Sequence, residues 1–150
     1  MRKIEFRGKP KDKSACAWAE DNGFVYGGIA FDGCTDETYI TRWNSFGLGF
    51  IENVEVDPAT VGQFTGLTDR NGKRIYEWDI VRTKYGRLCY IGWFSSKEYN
   101  GFDLTPIVFD GNIDCPPPDK YDLYYSGNLE VVGNVYDNLD LMERTTFRSE

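Results

Sequence analysis

Five Asn-Gly or Asp-Gly pairs punctuate this chain, at Asn22-Gly23, Asp32-Gly33, Asn71-Gly72, Asn100-Gly101 and Asp110-Gly111. Asn and Asp tolerate positive φ and Gly adopts it freely, so such pairs suit the tight turns that match strand twist. Between them lie short β-rich runs. Ile4 and Phe6 alternate with charged neighbours. Phe24-Val25-Tyr26 leads through Gly27-Gly28 to Ile29-Ala30-Phe31, and Thr38–Trp43 alternates in part. Ile51, Val54 and Val56 precede Asp57-Pro58, which must stop or bend a strand. Ile80–Lys84, Tyr85-Gly86 and Leu88–Phe94 read as a β-hairpin. Phe102–Thr105, Ile107–Phe109 and Leu129–Tyr136 complete the strand candidates, and Pro116-Pro117-Pro118 reads as a stiff extended loop.

Helix signals are sparse. Asn138 caps a possible short helix over 138–144, and Pro58–Thr60 can form one turn behind Asp57. Many short strands at close spacing imply an all-β sandwich or small barrel. A chain of 150 residues with 24 aromatic side chains (10 Tyr, 10 Phe, 4 Trp) can bury a core without staples. No apolar run approaches the roughly 20 residues of a membrane span. Met1–Phe6 also lacks the apolar stretch of a signal peptide, so a soluble, cytoplasmic protein is expected.

The chain has no histidine. That removes Ser-His-Asp triads, Cys-His pairs, His bases and His metal ligands. Cys16, Cys34, Cys89 and Cys115 contain no C-x-x-C pair, which argues against zinc ribbons and thioredoxin-like sites. Without an export signal, reduced thiols are expected. Glu52, Glu55, Asp57 and Asp103 could form a hydrolytic pair only if a cleft pushed two pKa values apart, and the sequence shows no such cleft. Asp110, Asn112 and Asp114 alternate faintly like a calcium loop, but Tyr121 stands where the downstream bidentate Glu belongs. A non-enzyme with no cofactor and no metal is the expectation.

Charge comes in blocks. Residues 1–13 carry six bases and two acids; residues 14–69 carry nine acids and one base, Arg42. Residues 70–97 carry seven bases and two acids, and residues 98–150 carry three bases and eleven acids. The whole chain is −7, which disfavours unspecific nucleic-acid binding, since phosphate neutralisation supplies most of that affinity. Arg70, Lys73, Arg74, Arg82, Lys84 and Arg87, interleaved with Tyr76, Tyr85, Tyr90 and Trp93, could still form a face for single strands.

Residues 61–82 carry the most information. Asp69-Arg70-Asn71-Gly72 suits a turn with Gly72 at positive φ. Tyr76, Ile80 and Val81 are expected inside, with Asp79 exposed at a corner and its carboxylate accepting backbone N–H groups. Small SH3-like barrels often begin a core strand in this way.

Three blocks resemble the YopX family of phage and prophage proteins. They are the opening Met1-Arg2-x-Ile4-x-Phe6-Arg7-Gly8-Lys9, the central Val61–Leu67 with Ile75-Tyr76-Glu77-x-Asp79-Ile80-Val81, and the C-terminal Val131–Asn138. One position departs: the family usually has Gly between Glu and Asp, and here it is Trp78. That implies either ordinary backbone angles at 78 or a different local strand geometry. The resemblance implies an SH3-like barrel core with additional β elements, phage or prophage origin and self-association. It implies no activity.

The expectation is therefore an all-β protein with minor α content, a single domain over 1–150. Residues 1–59 supply N-terminal β elements, 60–137 an SH3-like barrel core, and 138–150 a tail with a short helix. Its expected role is that of an accessory protein in the bacterial host's cytoplasm, binding an unknown protein partner or itself. Nucleic-acid binding through 70–97 is the alternative, and no membrane is involved. The candidate interaction surface is Trp78, Arg82, Lys84 and Arg87; Trp is enriched at interface hot spots.

Overall fold

In the computed structural model the described residues are 1–15, 19, 23–44, 49–107 and 123–143. They fall into two compact units, Met1–Phe64 and Thr65–Glu150. The expected strand candidate at 108–109, the Pro116–Pro118 loop, the Asp110–Asp114 run, Cys16 and Cys115 lie outside the described residues.

In the first unit, antiparallel strands β1 (Phe6–Gly8), β2 (Val25–Phe31), β3 (Thr38–Asn44) and β4 (Phe50–Val56) are joined by the start of β5 (Gly62–Thr68) in the order β4-β3-β2-β1-β5. Alternation decides which side chains go inside. Val25, Ile40 and Val56 are fully buried and pack with Phe6, Val54 and Val61. Phe24 is buried, with the Arg7 guanidinium 4.3 Å and the Lys9 ammonium 4.7 Å from its ring centre. Contacts of both cations with this ring help accommodate the basic opening of the chain. After β1 the chain returns to β4. Lys11 N–H donates to the Glu55 carbonyl (3.1 Å), and Asp57 N–H donates to the Lys9 carbonyl (2.9 Å). Asp57 then caps the predicted turn Pro58–Thr60, its carboxylate accepting from Ala59 N–H at 3.0 Å.

The second unit begins within β5, which pairs with β6 (Arg74–Tyr76). Strands β7 (Asp79–Arg82), β8 (Leu88–Ser95), β9 (Asn100–Pro106) and β10 (Glu130–Asn134) form an antiparallel sheet ordered β10-β7-β8-β9, and helix α1 covers Leu139–Glu143. Its core joins Ile75, Val81, Cys89, Ile91, Phe102, Leu104, Leu123 and Leu129. Burying each large aliphatic side chain here stabilises the fold by about 1.5–3 kcal/mol.

The all-β class with minor α content is correct. Among the described residues no closed barrel is found: this sheet ends at β9 on one side and β10 on the other. Two local expectations are also corrected. Asn100-Gly101 is not a turn but the start of β9, paired with Ser95 and Phe94, and the reversal falls at 96–99. Asp79 is buried, only 2% exposed, and not at an exposed corner.

Candidate interaction surface

The corner before β7 is built from Tyr76, Glu77, Trp78 and Asp79. The buried Asp79 carboxylate accepts the Tyr76 N–H at 2.8 Å, closing the turn as expected from a carboxylate there. Trp78 has φ +70°, in the left-handed region that favours glycine, so its backbone angles are not the ordinary ones. A bulky residue there is a true outlier, costing on the order of 1–2 kcal/mol. Its backbone is held at both ends. Trp78 N–H donates to the Ile91 carbonyl (2.9 Å), and its own carbonyl accepts Val135 N–H (3.0 Å). The half-buried indole stacks on Tyr90, centroids 6.1 Å apart at 21°.

The other predicted surface residues separate. Arg82 ends β7 and is exposed, reaching Glu130 at 3.7 Å beside the Arg70–Glu130 pair at 2.5 Å. Lys84 is exposed in the hairpin turn, its ammonium 4.8 Å from the Tyr85 ring centre. Arg87 closes that turn and is buried, 8% exposed. Thr83 and Arg87 exchange backbone and side-chain hydrogen bonds across it, and Gly86 at φ +85° permits the tight reversal.

The basic segment 70–97 does not gather its aromatics. Tyr76 is buried. Tyr90 and Trp93, three residues apart on β8, project from opposite faces because strand side chains alternate. Trp93 instead meets Phe102 edge-on at 4.9 Å.

A different patch stands out on the first unit, which residue-by-residue reading of the sequence missed. The register pairs Trp43 with Ile51, Thr41 with Asn53 and Tyr39 with Glu55, and β2 adds Gly28 opposite Thr41 and Ala30 opposite Tyr39. Directly paired residues share a face, so these eight form the sheet side away from Ile40 and Val56. Trp43 is 66% and Ile51 63% exposed. Phe31, 69% exposed, lines a shallow depression there with Ala30, Asp32, Tyr39 and Asn53. The sequence signal was the alternation Tyr39-x-Thr41-x-Trp43, which names one face without saying whether it is the inner one.

The acids singled out earlier divide likewise. Glu52 pairs with Arg42 at 2.9 Å, whereas Glu55 binds Lys11 at 2.6 Å. The Tyr39 hydroxyl donates to Glu37 at 2.6 Å, and that bond, with burial and the nearby charges of Glu37, Glu55 and Asp32, pushes the phenol up to about 12. Asp103 is on β9, in the second unit. Among the described residues no group of three or more His, Cys, Asp or Glu side chains is placed to hold a metal ion. No described helix is long and apolar enough to cross a membrane.

These strands and turns define a small antiparallel β protein, with one short α-helix among the described residues. The family model described as YopX protein matches residues 17–143, and the chain belongs to the YopX protein family. No curated protein matches it. A crystal structure of protein EF1440 from Enterococcus faecalis is similar at 20% identity and a TM-score of 0.49, covering 95% of this chain and 100% of that one.

The C-terminal block has a physical basis. The buried Asn134 accepts the N–H groups of Tyr136 and Asp137, each at 3.0 Å, and its amide donates to the Asp137 carboxylate at 2.9 Å. Asn138 reaches back to the Asn134 N–H at 3.1 Å. That side chain passes so close to Gly133 that a Cβ there would lie 2.2 Å from Asn138 Oδ1. Gly-Asn followed by Asn four residues on is therefore one interlocked turn.

Proposed function

We propose that this protein is a non-enzymatic phage or prophage accessory protein, working in the cytoplasm of a bacterial host by binding protein, a second copy included. The observation that carries this reading is the exposed Trp43–Ile51 pair in the first unit. An exposed aromatic beside an exposed aliphatic supplies the desolvated centre that protein interfaces use. The separated aromatics of 70–97 and the pairing of Arg70 and Arg82 with Glu130 favour protein over nucleic acid as the partner. Sedimentation velocity across a concentration series tests self-association. Retardation assays with single-stranded and duplex DNA and RNA at about 50 mM salt test the alternative. Retardation by nucleic acid that Arg82→Glu or Lys84→Glu abolishes, with no protein association, overturns the proposal.

A further inference from the structure

The face carrying Trp43 and Ile51 is also the acidic side of its unit. Glu55 stands opposite Tyr39, Glu37 accepts the Tyr39 hydroxyl, and Asp32 lines the same depression. Asp57 follows directly at the end of β4. Among the described residues the Lys11 ammonium meets this group: it is bound to Glu55 and raised in pKa chiefly by that hydrogen bond and charge, with Glu37 and Asp57 adding to it. Arg42, the lone base of residues 14–69, is on the other face with Glu52. The patch is thus apolar at the Trp43–Ile51 end and negative at the Tyr39–Glu55 end.

Resting on the protein-binding reading above, we infer that this face of β2, β3 and β4 docks a polypeptide segment rich in Arg or Lys and interspersed with apolar residues. A second copy presenting the same face would set carboxylates against carboxylates, which like-charge repulsion disfavours. A cationic segment meets the surplus negative charge with its heads and lays its methylene stems on Trp43 and Ile51. The indole also offers its face to a guanidinium. Trp43 is braced for this: its ring lies against Gly49, where a Cβ would fall 2.6 Å from Trp43 Cζ2. A ring already fixed in place loses little freedom on binding.

The test uses the full chain, isotope-labelled, and two probes: a peptide alternating Arg with Ile, and one alternating Glu with Ile. The Arg peptide is expected to bind, shifting amide resonances of 39–43 and 51–55, with affinity that falls as salt rises. Trp43→Ser and Glu55→Lys are each expected to weaken it about tenfold, while Glu98→Lys, an exposed charge reversal in the second unit, leaves it unchanged. Ile51→Ser repeats the test if Trp43→Ser misfolds. Equal binding of the Glu peptide, shifts confined to other residues, or equal losses from Glu98→Lys and Glu55→Lys would overturn the inference. Self-association abolished by Trp43→Ser, with no response to the Arg peptide, would leave the protein-binding reading standing and remove this one.

Discussion

Trp78 stacks on Tyr90 from a left-handed backbone, the rings 21° from parallel. The stack lies within the second unit, beside the turn that the buried Asp79 closes by accepting the Tyr76 N–H. Trp78 thus adds packing where it costs backbone strain, and the two terms can be separated. Trp78→Ala removes the indole but keeps a Cβ at positive φ, and we predict a loss of about 2–3 kcal/mol. Trp78→Gly removes the strain as well and should be about 1 kcal/mol more stable than the Ala variant. Urea unfolding of the three proteins measures both differences. An Ala variant as stable as the Gly variant would show that the left-handed backbone carries no cost.

Asp69 holds three backbone donors. Its carboxylate accepts the N–H groups of Asn71, Lys73 and Val131, all at 2.9 Å, from a side chain 5% exposed. Asp69→Ala leaves those donors without their acceptor, and we predict a loss of about 3 kcal/mol or more. Asp69→Asn keeps one acceptor oxygen and should cost less. The midpoint of urea denaturation ranks the two, and an Ala variant at wild-type stability would contradict the account.

The Gly133–Asn138 contact predicts non-additivity. Gly133→Ala forces Asn138 away from the Asn134 N–H, and we expect about 1–3 kcal/mol of destabilisation. Asn138→Ala alone loses the same hydrogen bond. The double variant should therefore cost clearly less than the two single losses added together, with a coupling of at least about 0.5 kcal/mol. Additive losses would show that the two residues act separately.

Tyr39 gives a pH-dependent signature. Its phenol is raised to about 12, first by the hydrogen bond to Glu37. In the unfolded chain it ionises near its ordinary value of about 10. The fold therefore holds this proton more tightly, and the stabilisation is fully present below pH ~10 and lost as pH rises through about 12. Subtracting the Tyr39→Phe absorbance titration from that of the wild type isolates this phenol among the ten tyrosines. Glu37→Gln should bring its midpoint down; an unchanged midpoint would remove Glu37 as the cause.

What the sequence made legible was local. Asn71-Gly72 turns with Gly72 at φ +78°, Asp57 caps its turn, and Tyr76, Ile80 and Val81 are buried, because each depends on a few neighbouring residues. Closure of the sheet depends on which edges meet across dozens of residues, and alternation does not encode that. Asp79 was misplaced for a related reason: its role in accepting the Tyr76 N–H was readable, but burial depends on what packs around it. Candidate surface residues chosen by type suffered likewise. Arg87 looks like a surface base, yet it closes a hairpin turn on the inside, while Trp43 and Ile51 are brought together only by the β3–β4 register.

The Asp69–Val131 hydrogen bond joins residues 62 positions apart. A ribosome synthesising this chain makes every strand of the first unit's sheet well before it reaches Glu130. Until then the carboxylate at 69 has no Val131 to hold, and β7 lacks the β10 neighbour that pairs with it. The second unit is therefore completed late in translation, and a nascent chain stalled just short of residue 130 would carry a finished front half and an open back half, exposed to proteases and chaperones.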